Sequence, residues 1–126
     1  MALCRILVVD DDAELRQSVR MILAKAGYEV IVAEDGEKAI AAVQAGDTPC
    51  KVDLVVCDLY MPKVGGVETI TYFRSHLPSV PVIAMTGSQD ISSAQALFEK
   101  GIAEFLLKPF GPSELLSAVE KALKDR

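Results

Sequence analysis

The chain has no apolar run approaching the roughly 20 residues needed to cross a bilayer, so no membrane-spanning helix is expected. It also lacks paired cysteine spacing. Cys4, Cys50 and Cys57 are odd in number and show no Cys-x-x-Cys pattern, which reads as reduced thiols rather than a disulfide frame or a zinc site. It lacks a basic excess: 13 Lys and Arg stand against 18 Asp and Glu, a net charge of −5, which argues against nucleic acid or an anionic membrane as a direct partner. Repeats, low-complexity segments and linkers are missing too. No signal peptide is expected, because Met1 to Cys4 lead straight into an apolar strand, and the expected location is cytoplasmic.

What is present is 126 residues, 51% hydrophobic and 25% charged, expected to fold as one domain over residues 1–126. A chain of that size removes roughly two thirds of its unfolded surface from water without metal or disulfide staples. The stretch that organises it is Val52 to Pro62. Leu54 to Cys57 are continuously apolar and too short for a helix, which predicts a strand buried on both faces, as in a parallel sheet. Asp58 then sits at that strand's carboxyl end, the edge where open α/β sheets bind ligands. A buried carboxylate there needs a cation, strong donors or open water.

The rest of the chain alternates. Cys4–Val9 reads as a first strand ending in Asp10, Asp11 and Asp12. Asp12 caps a helix with Leu15, Val19, Ile22, Leu23 and Ala26 inward, stopped by Gly27. Glu29–Ala33 is a second strand, Asp35-Gly36 a turn and cap, and Glu37–Ala45 a second helix with Ala39, Ile40 and Val43 inward. A third helix runs from about Val67 to His76 with Ile70 and Phe73 inward, and Val82–Met85 is a fourth strand closing on Thr86. Ile91–Lys100 is a fourth helix, Glu104–Leu107 a fifth strand closing on Lys108-Pro109-Phe110. A fifth helix follows Gly111, with Leu115, Leu116, Val119, Ala122 and Leu123 on one face. Five strands alternating with five helices predict a doubly wound parallel sheet, order 2-1-3-4-5, with helices on both faces.

That order brings Asp10, Asp11, Asp58, Thr86 and Lys108 to one edge. Two carboxylates about 4 Å apart repel by about 4 kcal/mol at an effective dielectric of 20, so three of them together call for a cation. All-oxygen ligation by few carboxylates at an exposed edge suits Mg²⁺ and would also accept Mn²⁺. Lys108 adds a mobile positive charge and Thr86 a hydroxyl. These are the parts of a phosphoryl-transfer site, with Asp58 as the nucleophile that becomes an aspartyl phosphate.

Asp-Asp after strand one, Asp-x-x-Met-Pro after strand three, Thr-Gly after strand four and Lys-Pro-Phe after strand five resemble the receiver domain of two-component response regulators, whose sheet is flavodoxin-like. The resemblance covers essentially the whole chain. It implies that Asp58 accepts a phosphoryl group from a sensor histidine kinase or phosphotransfer protein. It further implies that Asp11 binds Mg²⁺ directly, Asp10 largely through water, and the Tyr60 backbone carbonyl supplies another ligand. Thr86 and Phe105 match the family's switch pair, Lys108 its phosphate-binding lysine, and Pro109 a proline whose preceding peptide is usually cis. Phosphorylation then changes the surface of helix four, strand five and helix five. Ala94, Phe98 and Ile102 follow one helical stripe, and the resemblance aligns Ala94 and Phe98 with that outward surface beside Phe105. A small apolar patch is expected there, docking a downstream protein or a second receiver.

Two positions depart from the family pattern. Gly65-Gly66 replaces the usual Asp-Gly or Asn-Gly, expected to touch no catalytic atom, and Tyr60 stands where small or polar residues are frequent, which suggests slow self-dephosphorylation. Four residues are expected to be ordinary: Cys57 as core, His76 as exposed, and Arg74 and Lys63 as solvated charges. A Mg²⁺-dependent phosphatase of haloacid-dehalogenase type also uses an aspartate after a parallel strand, but it wants a second acid where Tyr60 stands. A flavin carrier of the same architecture needs a Gly/Ser/Thr-rich loop after strand one, where three aspartates would repel phosphate. An inert module would lack an acid, the threonine or the lysine. The domain is thus expected to act by contacts, with only self-catalysed chemistry. No output domain is expected within the 126 residues, which fits a stand-alone regulator and equally a receiver cut from a longer protein.

Overall fold

Runs rich in Val, Ile and Leu pair edge to edge in a computed structural model that describes residues 4–44, 52–59, 65–87 and 101–124. Five such runs form the strands β1 (Arg5–Val9), β2 (Glu29–Ala33), β3 (Leu54–Asp58), β4 (Val82–Thr86) and β5 (Glu104–Leu107). All pair in parallel, in the order β2-β1-β3-β4-β5. Among the described residues four helices connect or follow them: α1 (Ala13–Lys25), α2 (Gly36–Gln44), α3 (Gly66–His76) and the C-terminal α4 (Pro112–Lys124). The fourth helix expected from the sequence, Ile91–Lys100, lies outside the described residues.

Side chains alternate across each strand, and this divides the core into two layers. Leu7, Val9, Val55, Cys57, Val82 and Ala84 pack toward Ala39 of α2 and Ile70 and Phe73 of α3. Ile6, Val8, Leu54, Val56, Ile83 and Met85 pack toward Val19 and Leu23 of α1 and Leu115, Val119 and Ala122 of α4. β3 and β4 are buried along their whole length, which is why they read as unbroken apolar runs rather than alternating ones.

Helix ends follow local chemistry. The Asp12 carboxylate accepts from the Glu14 and Leu15 amides and caps α1. Gly27, at φ 99°, takes the left-handed turn that ends it. Ala26, expected inward, is instead an exposed residue at the C-cap, where the helix has already turned away from the core. The Asp35 carboxylate accepts from the Lys38 amide and caps α2, while Gly111 N–H and the Glu114 carboxylate close the start of α4.

Two further expectations are corrected. Ile102 follows Gly101 and is buried against the α2/α3 layer, so it belongs to the core and not to an outward stripe. Arg74 is not a solvated charge: its guanidinium donates to the Pro78 and Val80 carbonyls at 3.2 and 3.3 Å and tucks beneath Gly101. His76 is exposed as expected, its ring stacked on Tyr72. Lys63 lies outside the described residues.

Candidate functional site

Register places the polar ends of the strands side by side. Val9 pairs with Cys57, which sets Asp10 beside Asp58, and Asp58 pairs with Met85 immediately before Thr86. Thr86 pairs with Leu107, and the Lys108 amide donates to the Thr86 carbonyl at 2.8 Å. Asp10, Asp58, Thr86 and Lys108 thus occupy one edge of the sheet because four neighbouring strands stop at the same level. The Lys108–Pro109 peptide is cis.

Alternation then decides which side chains meet. Asp10 and Asp58 continue the face of Val8 and Val56, and one carboxylate oxygen from each lies within 4.8 Å of the other and of one from Asp11. Asp10 and Asp58 are buried at 0% and 4% exposure, whereas Asp11 is open to solvent. The Lys108 ammonium bridges the buried pair, 3.0 Å from Asp10 Oδ2 and 3.4 Å from Asp58 Oδ1. Burial alone would pull the lysine pKa down. The hydrogen bond to Asp10 and the charges of Asp10 and Asp58 outweigh that and hold it above its ordinary value. Three carboxylates facing one ammonium remain net negative, and an all-oxygen set with one solvent-open member fits a hard divalent cation that keeps some of its water.

Thr86 is buried and its hydroxyl donates to the Gly87 carbonyl at 3.0 Å. Phe105 pairs with Ala84 and packs, half-buried, on the α2/α3 layer, the face that Thr86 also continues. Cys57 points into that layer and is fully buried. Burial first, then the nearby charges of Asp58 and Asp10, push its thiol far above the ordinary range. Tyr60, Ala94 and Phe98 lie outside the described residues.

Three contributors had gone unread in the sequence. The Arg16 guanidinium donates to the Asp10 carbonyl at 2.8 Å, and the Asp12 amide donates to Asp10 Oδ1 at 2.8 Å. Gly66 lies directly against the phosphoacceptor candidate. A Cβ there would stand 2.2 Å from the Asp58 carbonyl oxygen and 2.4 Å from Leu59 Cα, so the glycine meets the backbone of the phosphoacceptor candidate and not its carboxylate. The Gly66 amide also donates to the Leu59 carbonyl at 3.2 Å, so α3 starts hard against the end of β3.

Comparison with known proteins agrees with this geometry. Residues 6–120 match the family model for the response regulator receiver domain. Response regulator MprA of Mycolicibacterium vanbaalenii is 38% identical over 120 residues, covering 95% of this chain and 50% of that protein. The chain spans about half the length of the curated relatives it matches. Among solved structures, the chemotaxis protein CheY4 of Vibrio cholerae is 31% identical with a TM-score of 0.86, covering 97% of this chain and 100% of that one. A CheY-like receiver from Methanospirillum hungatei is 27% identical with a TM-score of 0.90, covering 98% and 96%. None of these findings favours a phosphatase of haloacid-dehalogenase type. Among the described residues, no helix is long and apolar enough to cross a membrane. The chain belongs to the response regulator receiver domain family, the signalling module of two-component systems.

Proposed function

We propose that this receiver is a phosphorylation switch in which Asp58 takes a phosphoryl group, with Mg²⁺, from a phosphohistidine on a sensor kinase or phosphotransfer protein. The observation that carries the reading is the Lys108 ammonium held between Asp10 and Asp58 beside three convergent carboxylates. A carboxylate oxygen of Asp58 attacks phosphorus in line, the P–N bond to the imidazole breaks, and the released ring nitrogen keeps the bonding pair. Asp10, Asp11 and Asp58, with the Tyr60 carbonyl, would hold the Mg²⁺, which supplies charge neutralisation for the equatorial oxygens; Mn²⁺ would serve as well.

Lys108 is placed to exchange its contact with Asp58 for the arriving phosphoryl oxygens, where it stabilises charge spread over the group. Thr86 would turn its hydroxyl from the Gly87 carbonyl to a phosphoryl oxygen, and Phe105 on the same face would move inward into the space released. The output is a changed surface around Ala94, Phe98 and Phe105, read by a downstream protein or a second receiver. A useful population shift needs the phosphorylated state to favour that surface by a few kcal/mol, on the order of what a 100-fold change requires.

Beryllofluoride with Mg²⁺, a mimic of the acyl phosphate, tests this reading by NMR. Amide shifts at Thr86, Phe105 and Phe98 are expected in the wild type and not in Asp58→Asn. Equal responses in both proteins would overturn it.

A further inference from the structure

Asp11 is the solvent-open member of the acidic cluster, and among the described residues no hydrogen bond holds its carboxylate. The Cα–Cβ bond from which it swings is therefore aimed by the two peptide planes that flank it, since each peptide is rigid and only the two backbone dihedrals between them are soft. The plane before Asp11 carries the Asp10 carbonyl, and Arg16 donates to that oxygen at 2.8 Å. The plane after Asp11 carries the Asp12 amide, which donates to Asp10 Oδ1 at 2.8 Å. Asp10 itself is tied to β2 through its amide, which donates to the Ala33 carbonyl. Arg16 is half-buried and, among the described residues, in no ion pair, so its guanidinium serves a main-chain oxygen rather than a carboxylate.

We infer that Arg16 is a positioning residue for the metal site: by clamping the Asp10 carbonyl it fixes the backbone that aims the Asp11 carboxylate at the divalent ion. The inference rests on the phosphoacceptor reading above. Hydrogen-bond partners one step behind a metal ligand matter at roughly 10-fold to 100-fold in affinity, because they set ligand direction before the ion arrives. Arg20, one turn further along α1, is the matched control. It is exposed, carries the same charge and bonds to the Gln17 side chain at 3.3 Å instead of the turn.

The test is an NMR-detected Mg²⁺ titration of wild type, Arg16→Ala, Arg16→Lys and Arg20→Ala, with thermal melts of each. Arg16→Ala is expected to bind Mg²⁺ roughly tenfold more weakly or worse, Arg20→Ala within about twofold of wild type, and Arg16→Lys in between. Phosphorylation of Arg16→Ala by acetyl phosphate should recover to near the wild-type rate once Mg²⁺ is saturating, because the reacting groups are intact. Equal Mg²⁺ affinities for Arg16→Ala and Arg20→Ala, whether both unchanged or both weakened, would overturn the inference and leave the phosphoacceptor reading standing. A wild type that binds no Mg²⁺ at these acids would overturn both. Should Arg16→Ala not fold, Arg16→Gln carries the same comparison with the same outcomes.

Discussion

The Lys108 ammonium reaches back across 98 positions of sequence to lie 3.0 Å from the Asp10 carboxylate. It makes a second, longer contact of 3.4 Å to Asp58. A buried carboxylate without a partner is costly, and this one lysine compensates two of them. On the proposed phosphoacceptor reading, the same contacts hold the Lys108 ammonium within reach of the Asp58 oxygen that would attack.

Replacing Lys108 by Met leaves Asp10 buried with no cation. In metal-free buffer Lys108→Met should lower stability by about 1–3 kcal/mol, the usual cost of stranding a buried acceptor, in urea denaturation. Added Mg²⁺ should restore part of that loss by supplying the missing positive charge. A variant as stable as wild type without Mg²⁺ would show that the bridge contributes nothing.

Gly66 tolerates no side chain. With a Cβ 2.2 Å from the Asp58 carbonyl oxygen, Gly66→Ala must push apart the start of α3 and the end of β3. A destabilisation of about 3 kcal/mol is expected, at the upper end for overpacking, together with shifted amide resonances at Asp58 and Leu59. A neutral outcome would mean that the backbone there yields easily.

Gly65 behaves oppositely. It is the N-cap of α3 with no side-chain cap bond, its backbone is already extended, and a Cβ there meets nothing within 4 Å. Gly65→Asp should therefore raise stability by roughly 0.3–0.5 kcal/mol through capping and the helix dipole. Chemical denaturation would register the gain, and a loss would contradict the capping account.

Cys57 makes stability depend on alkaline pH. Its thiol stays protonated in the folded chain, whereas the unfolded thiol ionises near its ordinary value of 9.0. The unfolded state thus binds fewer protons above that point. Stability should be fully present below about pH 9 and fall above it by up to about 1.4 kcal/mol per pH unit. Cys57→Ala should flatten that slope between about pH 9 and pH 10. In a Cys4→Ser, Cys50→Ser background, a thiol reagent should label Cys57 only as the chain unfolds.

Much of the architecture was legible because its signals are local. Unbroken apolar runs mark β3 and β4, acids and glycines mark helix ends, and the topological switch point places Asp10 next to Asp58. What escaped the sequence depends on distant backbone atoms. Arg16 bonds a carbonyl six residues back, Arg74 two carbonyls beyond its own helix, and the Arg5 amide the Asp53 carboxylate 48 residues away. No residue pattern announces a side chain that serves a main-chain oxygen. Gly66 was legible as part of a turn but not as a steric necessity, because its neighbour in space is the end of another strand. Ile102 was misread for a related reason: it lies past Gly101, where helical spacing no longer says which way a side chain points.

The identity of the phosphoacceptor decides the account, and mass spectrometry of the intact chain after incubation with acetyl phosphate and Mg²⁺ addresses it directly. The wild type should gain a single phosphoryl group that hydroxylamine removes, as an acyl phosphate requires, and Asp58→Asn should gain none. Phosphorylation persisting in Asp58→Asn, or a hydroxylamine-stable adduct in the wild type, would contradict the assignment of Asp58.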